Sequence, residues 1–260
     1  MKAVPPPRAI GVRLAVAIGV VLLPDISRHL RAGDDVAVMD SQNRSLEFAM
    51  LLTVPAAVAL AVVPHPIVSV LFERGAFHAA DSRNVANALA IFALGLPSFV
   101  MIKVFSPAYF AREDTQTPMR YAVISLTANT VGSVGLFWLF GWLGYQPHLG
   151  IAVATSLGGW LNAALLYHTL VARGHYVADA RLGRVLPMIL LASALMGVAL
   201  WLTADWLDPW LMATQGVLTR GTALAILVGI GLLVYALAIL ATGALGLRQL
   251  RGFLRRPPRA

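Results

Sequence analysis

A polytopic bundle of about seven transmembrane α-helices is the fold this sequence predicts, and three observations predict it. Apolar residues make up 58% of the 260-residue chain and charged residues only 12%, about half the share a soluble domain uses to cover its surface. Mean hydropathy is +0.75. The apolar residues fall in runs long enough to cross hydrocarbon, about 20 residues each, separated by short charged loops.

The runs can be taken in order. Residues 9–23 are short for a span and carry Arg13, and a charge near a helix centre costs about 2.5–3.5 kcal/mol on insertion scales. No small-residue cleavage site follows, so a signal peptide is a poor description. The segment is expected to be a divergent or truncated helix. Six stronger runs follow, at 46–72, 85–111, 119–143, 149–171, 185–207 and 218–247. Unpaired backbone groups are not tolerated in lipid, so these runs should be helices. None alternates polar with apolar residues as a barrel strand does. Pro55, Pro64, Pro97 and Pro187 lie inside them and are expected as kinks or ends.

The loops orient the bundle. If the segment after the first helix is cytoplasmic, the inside segments hold Arg28, Arg31 and Arg44; Arg112 and Arg120; Arg173, Arg181 and Arg184; and Arg248, Arg251, Arg255, Arg256 and Arg259. The outside segments hold Arg74, Arg83 and Arg220. Thirteen against three is the bias of a chain with its carboxyl terminus in the cytoplasm and its amino terminus outside. This placement accounts for the net charge of +8 without nucleic acid. The polybasic tail after 247 favours anionic membrane lipid.

Candidate sites are few. The chain has no cysteine, and its histidines show no metal-ligand spacing. No P-loop, nucleophile elbow or zinc-protease motif occurs. No catalytic residue, metal or cofactor is expected. Lys103 stands near one end of an apolar span. It either faces a cavity or partner or snorkels to the headgroups. Glu113 and Asp114 are adjacent, which suits a catalytic carboxylate pair poorly. Asp114 or Thr117 instead suits the cap of a helix that runs through Pro118. Asn129 and Ser133 are four apart and share a helix face, with Thr155, Ser156 and Asn162 on the next span. These could line a polar path or hold an ion, or simply bond helices together where Gly132, Gly135, Gly158 and Gly159 let them approach. Trp201, Trp206 and Trp210 read as an aromatic belt.

Four stretches carry a resemblance: "LLPDISRHLRAGD", "VLFERGAF", "SPAYFAREDTQTP" and "GIAVATSLGGWLNAALLY". In this order they resemble the MurJ/MviN family of lipid II flippases, within the multidrug/oligosaccharidyl-lipid/polysaccharide exporter superfamily. The resemblance runs from about residue 16 to the end. It implies about fourteen helices in the whole protein, two six-helix lobes around a cavity and then an extra pair, in the internal-repeat manner of transporters. On that basis residues 1–15 are a divergent or truncated start, 16–172 are most of the second lobe, and 173–260 are the extra pair and basic tail.

The resemblance also implies a role for each motif. Arg112, Asp114, Thr117 and Pro118 belong to a family loop. Lys103 matches a basic position and becomes the substrate-binding candidate. Some members bind sodium through an asparagine and an aspartate where this chain has Asn129 and Ser133, and the missing carboxylate argues against that site here. The implied partners are lipid II, membrane lipids and an amino-terminal lobe absent from this chain. The implied activity is alternating access, with the chain incomplete by itself, in the bacterial inner (cytoplasmic) membrane. A non-transporting scaffold or partner subunit built from a transporter half remains the alternative.

Overall fold

The computed structural model describes residues 22–212 and 215–243, all helix and connecting turns, with no strand among them. Helical residues 22–31 (α1) lead into α2 (Asp35–Val62), α3 (Pro64–Phe72), α4 (Ala79–Phe110), α5 (Gln116–Trp142), α6 (Pro147–Ala172), α7 (Ala180–Leu211) and α8 (Val217–Thr242). Among the described residues, α2 and α4 to α8 are long and apolar enough to cross a membrane. Five of the six expected runs coincide with α4 to α8. The expected segment at 9–23 and the basic tail lie outside the described residues, save for Leu22 and Leu23 in α1.

The run at 46–72 was expected as one span, and it is two helices. Proline has no N–H and pushes the residue before it out of the α region. Val63 accordingly has φ −123° and ends α2, and Pro64 opens α3. The same run also starts earlier than expected. The Asp34 side chain accepts the Ala37 N–H at 3.0 Å and caps a helix that begins at Asp35. Asp179 caps α7 in the same way, from the Leu182 N–H at 2.7 Å.

The helices pack as a chain of neighbours in the order α5, α6, α4, α2, α7, α8, with α3 wedged against α4 and α8. One core joins α1, α2, α4, α6 and α7 around Phe105, Tyr109, Leu166 and Ile189. A second joins α3, α7 and α8 around Leu200, Leu207 and Leu227. Lipid offers no hydrophobic drive between helices, so close contact comes from small residues. Gly150 of α6 sits so near α5 that a Cβ there would lie 2.5 Å from the Leu136 carbonyl. On another face of α6, a Cβ at Gly159 would lie 2.5 Å from Ser98 Oγ of α4.

One end of the bundle is ionic. Arg44 of α2 pairs with Glu47 and with Asp179, and Arg181 donates to Glu47 at 2.7 Å. Asn43 donates to the Val177 carbonyl at 2.9 Å and accepts from the Tyr176 hydroxyl at 2.7 Å. These bonds fasten the α6–α7 loop to the start of α2.

Gly150→Ala is expected to destabilise the chain by about 2 kcal/mol, the usual scale of overpacking, because α5 backbone cannot swing aside as a side chain can. A matched Gly183→Ala, with open space around the added Cβ inside α7, should raise the melting temperature in detergent slightly, since alanine is favoured over glycine in a helix by up to about 1 kcal/mol. Equal melting temperatures for the two variants would contradict the close α5–α6 approach.

Candidate functional site

The loop between α4 and α5 is built by helix ends. At the close of α4 the Asp114 N–H reaches back to the Tyr109 carbonyl at 3.0 Å and the Glu113 N–H to Phe110 at 3.0 Å. This is a Schellman cap, which places the earlier of these two donors along the chain in the left-handed region. Gly33, Gly144 and Gly174 occupy that position after α1, α5 and α6, whereas here it is Glu113, with φ +60°. A β-carbon costs about 1–2 kcal/mol in that conformation.

Asp114 then does three things at once. Its Oδ1 accepts the Thr117 N–H at 2.9 Å and its Oδ2 accepts the Thr117 hydroxyl at 2.6 Å, closing the first turn of α5. The same Oδ2 accepts Arg173 Nη1 at 2.7 Å from just beyond α6, and Arg173 Nη2 donates to Thr117 Oγ1 at 3.2 Å. Pro118 follows, buried within that first turn, where its missing N–H costs little. Arg112 donates to the Ala108 carbonyl at 3.0 Å, in the field of Asp35. The bonds from Thr117, then the Arg173 guanidinium, hold the Asp114 carboxyl at about 2. The Asp114 partnership in turn raises Arg173. Burial first, then the charges of Arg112 and Arg173, lower the neighbouring His175 imidazole.

From this latch a polar seam runs along the α5–α6 contact. The Tyr121 and Thr169 hydroxyls bond at 2.6 Å. Ser125 turns to its own backbone at the Tyr121 carbonyl. Asn129 Oδ1 accepts from both Ser133 Oγ at 3.1 Å and Thr155 Oγ1 at 3.3 Å. Thr155 also faces the Ile151 carbonyl at 2.9 Å, so its single proton is shared. The three residues expected as a polar path are thus together. Asn162 of α6 is half-buried, with its Oδ1 enclosed and without a partner. Ser156 faces the other way and donates to the Ile91 carbonyl of α4 at 3.0 Å. Among the described residues, no group of three or more histidines and carboxylates could hold a metal ion.

Lys103 is elsewhere, on the outward face of α4. It is exposed, with Phe92, Phe99 and Phe110 exposed at near-helical spacing along the same stripe. Among the described residues it has no hydrogen bond or ion pair. It lies seven residues from the end of α4, about 10 Å at 1.5 Å per residue. That depth serves either reading of its amine, a cavity or the headgroups. Sequence reasoning missed Arg173, which is 59 positions from Asp114. Its only signal was an arginine in the last turn region of a helix.

The comparisons with known proteins agree with one another. The family model described as lipid II flippase MurJ matches residues 11–219. A probable lipid II flippase MurJ of Rhizobium tropici is 41% identical over 244 residues, which is 94% of this chain and 44% of that protein. That of Vibrio cholerae serotype O1 is 34% identical over 229 residues, 88% of this chain and 42% of its own. A solved structure of lipid II flippase MurJ in an inward closed conformation matches with TM-score 0.62 and 26% identity, covering 93% of this chain and 44% of that one. The chain therefore spans less than half the length of these relatives.

Two outcomes are expected at the loop. Glu113→Gly should stabilise the protein by about 1 kcal/mol by removing the left-handed penalty, read as a higher melting temperature in detergent. Asp114 titrates lower folded than its ordinary 3.8. Its contribution, about 1–2 kcal/mol, is therefore whole above pH ~4 and is lost as pH falls toward ~2. Asp114→Asn should abolish that acid limb. The His175 contribution, lost as pH falls below about 6.5, should stay. An unchanged profile between pH 4 and 2 would refute the latch.

Proposed function

This chain belongs to the lipid II flippase MurJ family, and from that premise we propose that it forms the carboxyl-terminal part of a transporter that moves lipid II across the bacterial inner membrane by alternating access. The substrate is undecaprenyl-diphosphate-linked peptidoglycan precursor, carried from the cytoplasmic to the periplasmic leaflet. The match along most of the chain carries this reading. The protein transports and does not catalyse. Residues 16–172 supply most of the second lobe, and α7 with α8 supplies the extra pair.

The ionic end, with Arg44, Arg112, Arg120, Arg173 and Arg181, is the cytoplasmic one in this reading. The exposed stripe of α4 and the largely unburied α5 then face an amino-terminal lobe, and the two lobes enclose the cavity. Lys103 lines it and holds the diphosphate. A pair of unit charges at 4 Å gains about 4 kcal/mol at an effective dielectric of 20, against about 1 in water. A cavity sheltered from water therefore makes one lysine count. The Asn129, Ser133 and Thr155 cluster ties α5 to α6 as they rock together. It does not bind sodium, because Asn129 Oδ1 is taken by two hydroxyls and no carboxylate stands beside it.

The test is growth of bacteria depleted of their own lipid II flippase, with membrane insertion checked by immunoblot. The chain together with an amino-terminal lobe in trans should restore growth, and the chain alone should not. Lys103→Gln should lower rescue at least tenfold in plating efficiency, and Lys103→Arg should keep most of it. Rescue by the chain alone would overturn the need for a second lobe. Full rescue by Lys103→Gln would remove Lys103 from the cavity. Insertion without rescue in either arrangement would favour the non-transporting scaffold.

A further inference from the structure

Arg220 is the fourth residue of α8, in its first turn, and only 7% of it is exposed. Both Nε and Nη2 of its guanidinium are buried without a hydrogen-bond partner. Among the described residues no carboxylate forms an ion pair with it: neither Asp205 nor Asp208 of α7 does so, and Glu73 beyond α3 accepts from Ser82 instead. An arginine does not shed its proton, and a buried unpaired charge is strongly unfavourable. The position makes matters worse, since the first turn of a helix is its positive end and disfavours a cation. The helix also starts at Gly216 with no side-chain cap, and its first turn holds no acidic residue.

Three local features therefore call for the same thing, an anion. Helical side chains lean toward the helix start, so the guanidinium and the uncapped N–H groups of that turn belong to the same end of α8. The neighbours say at what depth this happens. Thr219 and Thr222, on either side of Arg220 in sequence, line a groove of about 290 Å³ with Trp206 and Trp210 of α7. Those indoles are exposed and 5.5 Å apart between centroids. Tryptophans so placed sit at headgroup level, where phosphate is the abundant anion and where a guanidinium fork matches its oxygens.

We propose that Arg220 and the start of α8 form a binding site for a phosphate group at the tryptophan-bearing end of the α7–α8 pair, with the phosphate of a membrane lipid as its natural occupant. The site lies apart from Lys103 and the ionic end. It needs only that α7 and α8 cross a membrane, and it stands whether or not the chain transports.

The test uses the purified full chain in a neutral, phosphate-free detergent. It is titrated with inorganic phosphate in one arm and with phosphatidylglycerol in mixed micelles in the other. Diacylglycerol serves as the lipid control without phosphate. Binding is read by native mass spectrometry and by the shift in melting temperature. The wild type should bind one phosphatidylglycerol saturably and show no saturable diacylglycerol binding. Arg220→Gln should bind at least tenfold more weakly, with Arg220→Lys between them.

Binding of inorganic phosphate alone, with the same dependence on Arg220, would keep the site and assign it to the free ion. Arg220→Gln equal to wild type in both arms would overturn the proposal. So would a wild type that binds neither probe, an outcome that would point to a protein carboxylate as the partner. If Arg220→Gln loses its helical circular dichroism, the wild-type titrations and Arg220→Lys decide alone. Lysine binding as tightly as arginine would then overturn the fork-and-phosphate match.

Discussion

The backbone of α5 is held in place by how closely α6 can approach it. α5 touches the rest of the bundle almost entirely through α6, and almost none of its apolar core window is buried. In lipid such a helix is not pressed inward by water. It stays where van der Waals contact and hydrogen bonds put it. Gly150 and Gly158 bring the two backbones together, and only at that separation can Asn129 reach the Thr155 hydroxyl, Tyr121 reach Thr169, and Arg173 reach Asp114. The seam and the latch are consequences of the glycines, and a bulkier α6 would lose all of them together.

The latch itself joins two kinds of constraint. Asp114 terminates one helix turn and starts another while it holds an arginine from a third helix end. With α4, α5 and α6 meeting at one carboxylate, the loop has no freedom to take a different shape, which accounts for the tolerance of a left-handed Glu113. A few bonds away, Arg44, Glu47, Asp179 and Arg181 do for α2 and α7 what Asp114 does for α4 to α6. Asp114 and Arg173 sit beyond the helix ends, where water and lipid headgroups lower the cost of bringing charges together, whereas Glu47 is buried within α2 and is held there by Arg44 and Arg181. The bundle is thus stitched by ions at one end and by small residues along its length.

How much of this the sequence revealed follows from how local each signal is. An apolar run of twenty residues is its own evidence, so α4 to α8 were legible. The start of α2 was not, because Asp35 to Arg44 read as a polar loop. Those residues are helical since Asn43 and Arg44 have partners more than 130 positions away, at Val177 and Asp179. The break at Val63 was hidden for a different reason: membrane helices tolerate proline, so Pro64 inside a run did not announce an end. At the candidate site, the four-residue step from Asn129 to Ser133 was readable and the partnership with Thr155 was only a guess at a neighbour. Arg173 on Asp114 left no trace in either local stretch. Arg220 was misread outright, since it was counted among loop arginines and is buried in the first turn of α8.

That error shows where charge counting stops being informative. The positive-inside bias treats every arginine near a span as solvated, and for most of this chain that holds. Lys103 and Arg220 are cations within long helices whose surroundings the bias does not describe. Their surroundings differ in the way that matters. Lys103 has an open aromatic face and a flexible stem about 10 Å from the helix end, so its amine is free to meet whatever occupies that face. Arg220 has no such freedom. Its guanidinium is packed into the α7–α8 end with two nitrogens unpaired, and the helix around it adds positive potential instead of relief. An exposed cation can wait for a ligand at little cost. A buried one at a helix start carries the cost of its unpaired charge until an anion reaches it, and under the proposal made for Arg220 that anion would also help the α7–α8 pair hold its shape.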